Sequence, residues 1–243
     1  MRIILFGTGR MGQAIMRLAK QKEYEVVAAY NSSNIERAKK HGLPTADVCI
    51  DFSSPEAALQ NIQLAWKTGL PIVVGTTGWY DHLDEIKRRA QNGKGTILVG
   101  SNFAPGVNLL FLLSETIAKF INFFDFNVGI KEIHHIHKKD APSGTAITIA
   151  NRIIHDNKKF KKWELVTYEK KATAETLPIY AVRKGEEVGT HIVFLENELE
   201  RLKVEHNALS RDVFALGALE AAKWLINKSG FFTVEDFYRE ILS

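Results

Sequence analysis

The chain has 243 residues, of which 45% are hydrophobic and 25% charged, an ordinary composition for a globular protein of one large or two modest domains. A net charge of +4 is too small to indicate nucleic-acid binding, although it suits an anionic substrate. The chain has one cysteine, no apolar run long enough to span a membrane and no signal-peptide pattern. These features predict a cytoplasmic protein with no internal disulfide and no membrane partner.

The first hundred residues alternate short apolar strands with helical patterns. Strands are predicted at residues 2–7, 25–30, 48–52, 71–76 and 96–101. Helices are predicted between them at residues 11–21, 55–68 and 81–91. Because apolar strands that alternate with helices form parallel sheets covered on both faces, this pattern predicts an α/β domain with a doubly wound parallel sheet.

After residue 102 the pattern changes to longer strands with few helices between them. Strand-like runs lie at residues 124–137, 177–183, 189–195 and 200–208, and helical runs at 108–121 and 143–156. This arrangement predicts a second domain of α+β type with an antiparallel or mixed sheet. Two further helices are predicted at residues 212–227 and 233–243, and on pattern alone they fit either domain.

A glycine-rich turn between the first strand and the first helix predicts a dinucleotide site. It fits G-x-G-x-x-G, in which the first glycine permits a tight turn, the second admits a pyrophosphate and the third lets helix and strand pack closely. The amino terminus of the helix then offers N–H groups to the phosphates. The predicted contacts are Gly7, Thr8, Gly9, Arg10, Met11 and Gly12. A glycine turn without a ligand is the alternative interpretation.

The tip of the second strand bears on the choice of nicotinamide cofactor. In NAD-binding domains an acidic residue about 20 residues beyond the glycine motif bonds the ribose 2′-hydroxyl. Asn31 and Ser32 occupy that region here, and neither repels a 2′-phosphate. We therefore predict that NADPH is accepted, as well as or in preference to NADH, with Asn31 and Ser32 as contacts. In the alternative interpretation Asn31 simply bonds the ribose of either cofactor.

Two further loops follow predicted strands at the edge where a doubly wound sheet binds its ligand. Both combine glycine with small polar side chains, which suit the nicotinamide ribose and carboxamide. The predicted contacts are Gly75, Thr76 and Thr77 after the fourth strand, and Gly100, Ser101, Asn102 and Phe103 after the fifth. Each loop by itself is also compatible with an ordinary turn.

The stretch KEIHHIHKKDAPSGTA, residues 131–146, concentrates histidine, lysine and acid. On a continuous strand, His135 and His137 share one face, whereas His134 and Lys138 share the other. No thiolate or HExxH helix accompanies these histidines, so we predict no metal. Because the pKa of histidine is near neutrality, we predict that His134 and Lys138 are paired proton donors that converge on one ligand. The alternative is that the histidines are solvated side chains on the surface.

The residues that follow the histidines predict an anion site. The sequence DAPSGTA leads into a helix whose first N–H groups belong to Ser143, Gly144 and Thr145. Such a helix amino terminus binds carboxylates well. One short segment thus combines a lysine, histidines and a helix amino terminus, which predicts a site for a carboxylated substrate that needs protonation.

The pattern E-x-H-H-x-x-K-x-D-x-P-S-G-T, at residues 132–145, resembles the signature of the 4-hydroxy-tetrahydrodipicolinate reductase family. The resemblance continues through GTGRMG, DFSSPEA, VVGTTGW, SNFAPGVN, VRKGEEVGTH and HNALSRDVFALGAL. It implies reduction of a cyclic imine by NADH or NADPH, giving tetrahydrodipicolinate after loss of water, in the diaminopimelate route to lysine. Many members carry Glu followed by Arg where this chain has Asn31 and Ser32, so the resemblance leaves cofactor preference open.

The resemblance also implies roles for individual residues. It makes His134 the proton donor or acceptor and Lys138 the proton donor. His135 is implied to bind substrate, and Gly144 and Thr145 to hold one of its carboxylates.

The domain organisation and the assembly are likewise implied by the resemblance. Residues 1–103 and 212–243 are expected to form a Rossmann-type dinucleotide-binding domain. Residues 104–211 are expected to form the substrate-binding and oligomerisation domain, with a homotetramer built through its sheets.

Two other classes of protein remain as alternatives. A different Rossmann oxidoreductase, of the aspartate-semialdehyde dehydrogenase type, needs a nucleophilic cysteine. Cys49 lies inside the third predicted strand between Val48 and Ile50, where inert packing is expected. A dinucleotide-binding sensor would bind cofactor without turnover and has no use for a lysine and histidines on an anion pocket, and we find no DNA-binding module.

Overall fold

A computed structural model of the chain describes residues 1–167 and 173–242. The strands are β1 (Arg2–Phe6), β2 (Glu25–Tyr30), β3 (Val48–Asp51), β4 (Ile72–Val74), β5 (Ile97–Val99), β6 (Asn127–His134), β7 (Lys162–Leu165), β8 (Thr176–Arg183), β9 (Thr190–Glu196), β10 (Arg201–Asn207) and β11 (Phe231–Thr233). The helices are α1 (Arg10–Gln21), α2 (Ile35–His41), α3 (Pro55–Lys67), α4 (Leu83–Gln91), α5 (Pro105–Phe120), α6 (Gly144–Asp156), α7 (Asp212–Leu225) and α8 (Val234–Glu240).

The first of two compact units comprises Met1–Pro105 and Arg211–Ser243. Its sheet has the strand order β11-β5-β4-β3-β1-β2, and every pair of neighbours is parallel. β3 and β4 are buried along their whole length, as the continuous apolar runs predicted. Helices α3 and α4 pack on the sheet face that carries Ile4, Phe6 and Cys49. The predicted doubly wound parallel sheet is therefore confirmed.

The carboxyl-terminal segment completes this first sheet. β11 pairs in parallel with β5, and α7 contacts α1, β3 and β4. The helices α7 and α8 lie within the two predicted helical ranges, although Ser243 lies outside the described residues. β11 was not predicted, because its three residues, FFT, are too few to show an alternating pattern.

The second unit comprises Gly106–Ser210. Its sheet has the order β10-β9-β6-β8-β7, in which β6 runs parallel to β8 and antiparallel to β9. This confirms the predicted mixed sheet. Helix α6 packs against β6, β7 and β8, and its apolar residues Ile149 and Ile153 are fully buried. Within the described residues, no helix combines the length and the apolar character that a membrane span requires.

The end of β6 differs from the sequence prediction. The strand was predicted to run to His137, but it ends at His134, and residues 135–138 form a turn. The turn is held by main-chain hydrogen bonds to the loop after β8, from His135 N to Glu187 O (2.8 Å) and from Ile136 N to Gly185 O (3.1 Å). The argument from strand alternation therefore does not apply to Lys138, which lies beyond the strand.

Candidate active site

The glycine-rich turn after β1 has a separate steric reason for each glycine. Gly7 has a φ of 96°, and a Cβ there would lie 2.1 Å from the carbonyl oxygen of Phe52. A Cβ on Gly12 would lie 2.1 Å from the carbonyl oxygen of Gly7. A Cβ on Gly9 would meet nothing within 4 Å, so this position is open to a ligand. The turn is closed by packing at Gly7 and Gly12 and accessible at Gly9.

A cavity of about 410 Å³ lies at the carboxyl ends of β1, β2 and β3. β1 has β2 on one side and β3 on the other, so this is the point where the strand order reverses and where doubly wound sheets bind ligands. Among the described residues no charged side chain lines it. The lining residues are Phe6, Gly7, Thr8, Gly9, Tyr30, Asn31, Ser32, Ile35, Phe52, Ser53, Ser54, Ala57 and Asn61. Arg10 and Met11 are the first residues of α1 and do not line the cavity.

Asn31 is engaged in local hydrogen bonds. Its Nδ2 donates to Thr8 Oγ1 (3.0 Å), and its Oδ1 accepts from the main-chain N–H of Ser33 (2.9 Å). These bonds tie the loop after β2 to the glycine-rich turn. Ser32, by contrast, is exposed and lines the cavity. Ser32 is therefore the better placed of the two to contact a cofactor directly.

A buried carboxylate, not singled out from the sequence, connects two loops at this edge. Asp51, at the end of β3, accepts hydrogen bonds from Thr76 Oγ1, from Asn61 Nδ2 (2.7 Å) and from Ser53 N (3.1 Å). Burial raises the pKa of Asp51, and these hydrogen bonds oppose the increase. Asp51 therefore holds the loop after β3 against the loop after β4.

We expect Asp51→Asn to lower the free energy of unfolding by about 2 kcal/mol, because an amide NH₂ cannot accept the hydrogen bonds of the lost oxygen. The NADPH dissociation constant should rise as well, because both loops border the cofactor edge. Urea unfolding and a fluorescence titration measure the two effects. Asp47→Asn is the control, since Asp47 is exposed and accepts one main-chain bond from Arg2 at the opposite end of β3. Equal losses in both variants would contradict the prediction.

The predicted loops after β4 and β5 keep two of their side chains inside the protein. Thr76 is 7% exposed and bonds Asp51, and Phe103 is 1% exposed and packs edge-on against Phe52 with ring centroids 5.8 Å apart. A Cβ on Gly100 would lie 2.8 Å from Val234 Cβ, so this glycine allows close packing. Contact of Thr76 or Phe103 with a cofactor is therefore restricted to main-chain atoms. Gly75, Thr77, Ser101 and Asn102 complete these loops.

The histidine segment of the second unit lies at the carboxyl end of β6. His134, the last residue of the strand, is 7% exposed, and its ring packs edge-on against that of His191 with centroids 5.1 Å apart. His135 is half-buried in the turn, and its Nδ1 has no hydrogen-bond partner. His137 is exposed.

Lys138 is drawn into this region by the turn. Its N–H donates to His135 O (3.1 Å), and its ammonium contacts both oxygens of Asp140, at 2.8 and 2.7 Å. The Lys138 side chain is only 22% exposed, whereas that of Asp140 is 60% exposed. The ammonium lowers the pKa of Asp140, so Lys138 is paired with an exposed carboxylate that a substrate carboxylate can replace.

The amino terminus of α6 follows the same turn. Ser143 is the N-cap, and its Oγ accepts from Ala146 N (3.2 Å). Gly144 is exposed, and an added Cβ there would meet nothing within 4 Å. Thr145 follows in the first turn and is half-buried. The open space at Gly144 and the positive end of the helix are the features that a carboxylate needs.

Two buried residues near His134, Glu132 and His191, and the partly buried Arg183 were not assigned a role from the sequence. Glu132 is fully buried, accepts from Ser143 N (3.0 Å) and pairs with Arg183 (3.1 Å). His191 Nε2 lies 3.1 Å from Ser143 Oγ. Glu132 and Arg183 are charged residues inside apolar strands, and this was the signal available in the sequence, because such residues are rarely buried unless they are paired.

Glu132, His134 and His191 each offer one ligand atom within 4.8 Å of the others, a spacing that a metal ion accepts. Glu132, however, already pairs with the guanidinium of Arg183, and a second cation would be repelled by it. Burial lowers the pKa of His191 to about 3 and keeps its ring neutral, which a metal would also accept. The argument against a metal is therefore the repulsion by Arg183, and we assign Glu132 to its bonds with Ser143 N and Arg183.

Burial lowers the pKa of His134 below its usual value of 6.5. Glu132 opposes this decrease, while Lys138 and Arg183 add to it. The expectation of a pKa near neutrality did not include burial, which moves the pKa of His134 downward. At neutral pH the His134 ring of the free protein is therefore neutral.

The first unit has a doubly wound parallel sheet with a glycine-rich turn at its switch point. The second unit has a mixed sheet with a lysine, histidines and a helix amino terminus. Together these features define a two-domain oxidoreductase with a dinucleotide-binding fold. Two family models match the chain, "Dihydrodipicolinate reductase, N-terminus" over residues 1–103 and "Dihydrodipicolinate reductase, C-terminus" over residues 106–238. The chain belongs to the dihydrodipicolinate reductase family.

Individual relatives agree with this membership. The chain is 38% identical to a 4-hydroxy-tetrahydrodipicolinate reductase of Christiangramia forsetii over 99% of both chains. It is 34% identical to one of Archaeoglobus fulgidus over 98% of this chain and 99% of the relative. Among solved structures, a dipicolinate-bound dihydrodipicolinate reductase from Paenisporosarcina sp. TG-14 matches with a TM-score of 0.79 at 23% identity, covering 97% of this chain and 98% of that one. The structural likeness concerns the fold.

Proposed function

We propose that the chain reduces 4-hydroxy-tetrahydrodipicolinate to tetrahydrodipicolinate with NADPH or NADH, in the diaminopimelate route to lysine. One observation carries the proposal beyond family membership. A cationic lysine, a neutral buried histidine and an open helix amino terminus follow one another at the carboxyl end of β6. A dianionic substrate that must be protonated needs these three groups together.

Loss of the substrate's hydroxyl group as water leaves a conjugated ring, and a reduced nicotinamide cofactor held with its phosphates at residues 7–12 would supply hydride to a carbon of that ring. The chain's own residues then act on the charge that develops. Gly144 and Thr145 bind one substrate carboxylate at the amino terminus of α6, and Lys138 leaves Asp140 to meet the substrate.

Proton transfer completes the reaction. The ammonium of Lys138 stabilises the developing negative charge and donates a proton to it. Neutral His134 accepts or relays a proton at its imidazole nitrogen, and His135 contacts the substrate from the turn. Burial of His134 at 7% exposure limits competition from water.

For the cofactor we propose that NADPH is accepted at least as well as NADH. The support is the lack of an acidic residue among those that line the described cavity, together with the exposed Ser32 at its rim. A 2′-phosphate therefore meets no like charge there.

The test is a coupled assay in which the preceding synthase makes the substrate in situ from pyruvate and aspartate semialdehyde. The loss of reduced-nicotinamide absorbance is followed with NADH and NADPH in parallel. Turnover with a kcat/KM for NADPH equal to or above that for NADH is expected. A protein that binds both cofactors but turns over neither would refute the function, and a strong NADH preference would refute only the cofactor proposal.

We also propose a cytoplasmic homotetramer. In the second unit, half-buried apolar side chains lie on the sheet face opposite Glu132 and His134, namely Ile133, Tyr180, Val182, Ile192 and Phe194. An apolar sheet face of this kind is suited to a subunit interface. Light scattering after gel filtration tests the tetramer, and cell fractionation tests the location.

A further inference from the structure

We propose that the ion pair between the buried Glu132 and the partly buried Arg183 positions the three parts of the reductase site, namely the His134 ring, the Lys138 turn and the amino terminus of α6. The inference rests on the proposed function, because it explains how the groups that bind and protonate the substrate are held in place. Neither residue is required to touch the substrate, so both are positioning residues.

Glu132 acts on two of the three parts. It lies on β6, is 0% exposed and directs Oε2 to the main-chain N–H of Ser143, at 3.0 Å. The same oxygen lies 3.6 Å from Nδ1 of His134. Nδ1 makes no hydrogen bond, so at this distance the carboxylate acts on the His134 ring through its negative charge, which raises the pKa of that ring. Glu132 thus bonds the helix start directly and acts electrostatically on the catalytic imidazole.

Arg183 reaches the third part. It is the last residue of β8 and pairs in register with His134 at the end of the neighbouring parallel strand. Its Nε donates to the carbonyl oxygen of Lys138 (3.2 Å), and its Nη2 donates to the carbonyl oxygen of Asp140 and to Glu132 Oε1 (3.1 Å). One guanidinium therefore bonds two carbonyls of the Lys138 turn and anchors them to the buried carboxylate.

The chemistry of the pair argues for positioning rather than for general stability. Glu132 is fully buried and the Arg183 side chain is 21% exposed, so desolvation offsets much of the attraction between the two charges and the pair contributes little net stability. What it supplies is geometry, because the planar fork of arginine holds several acceptors in fixed directions. A lysine at residue 183 would keep the charge but would not bond Glu132, Lys138 O and Asp140 O together.

The first arm of the test compares Arg183→Lys with wild type. We expect kcat to fall about 100-fold, the scale of the loss when catalytic groups are displaced by about 1 Å. The NADPH dissociation constant should stay unchanged. Arg201→Lys is the matched control, because Arg201 pairs with Glu196 at 2.7 Å on the same sheet in an exposed position. The control should retain wild-type kcat.

The second arm separates positioning from folding. Arg183→Ala is assayed with and without added guanidinium ion, which can re-enter the vacated site between Glu132 and the turn. We expect at least about tenfold recovery of kcat, at guanidinium concentrations that leave wild type and Arg201→Lys unaffected. A residue needed only for stability would show no such recovery, since guanidinium weakens folded proteins.

The third arm uses Glu132→Gln, which keeps the side-chain shape but removes the charge. The acid limb of the kcat profile should move to lower pH, because Glu132 raises the pKa of His134. The other charged or titratable groups that face His134 stay in place, namely Lys138, Asp140, Arg183 and His191.

The inference would be overturned if Arg183→Lys had the kcat of wild type, or if added guanidinium did not restore kcat in Arg183→Ala. A failure of the proposed function is distinguishable, because wild type and Arg201→Lys would then also lack turnover. In that case the positioning role is tested by the affinity of each variant for pyridine-2,6-dicarboxylate, measured by calorimetry. Weaker binding to Arg183→Lys than to Arg201→Lys supports the positioning role, and equal binding refutes it.

Discussion

Replacement of Lys138 by alanine should lower kcat by about 10²- to 10⁴-fold and leave NADPH affinity unchanged. The variant removes the ammonium that we assign to charge stabilisation and protonation, and it leaves Asp140 without its cation. The cofactor cavity is formed by residues 6–61 of the first unit, so it should be unaffected. Steady-state assays with a cofactor titration measure both quantities.

Lys139→Ala is the matched control for this experiment. Lys139 has the same charge and the adjacent position but is exposed. A loss of activity in Lys139→Ala equal to that in Lys138→Ala would mean that only the net charge of the turn matters. Unchanged kcat in Lys138→Ala would refute the catalytic role of Lys138, whereas a wild-type protein that binds NADPH without turnover would favour a dinucleotide sensor.

Replacement of His134 by glutamine should lower kcat by about 10²-fold or more, because the amide cannot accept and return a proton. In wild type, the midpoint of the acid limb of kcat/KM should lie below pH 6.5, the usual pKa of a histidine. The sign follows from burial, which lowers the pKa of His134, so the neutral ring persists below its usual titration point. In His134→Gln this acid limb should be absent from the pH profile.

His137→Gln is the control for the second prediction. Its ring is 72% exposed and lies 3.7 Å from the carboxylate of the exposed Glu186. Wild-type kcat and an unchanged acid limb are expected for it. An acid limb that persists in His134→Gln would assign the titration to another group.

Much of the fold follows from local patterns in the chain. Continuous apolar runs such as those of β3 and β4 are confined to the centre of a parallel sheet, because both faces of such strands must be buried. The glycine-rich turn is similarly local, since the backbone conformation of Gly7 and the close approach at Gly12 admit no larger side chain. These features were accessible without coordinates.

Short or charged elements were not accessible in this way. β7 reads KWEL and β11 reads FFT, and each becomes a strand only through its pairing with β8 or β5. The same holds for the end of β6. Nothing in the alternation of residues 131–138 indicates a turn at His135, which is held by main-chain bonds to the loop after β8.

The sequence by itself determined the two kinds of sheet, the glycine-rich turn and the family resemblance carried by residues 132–145, because these depend on residues close together in the chain. Only the tertiary structure decided how Glu132, Arg183 and His191 meet, because they come from three strands that pair across about 50 residues of chain. It also decided the lowered pKa of His134, because burial depends on everything packed around the ring.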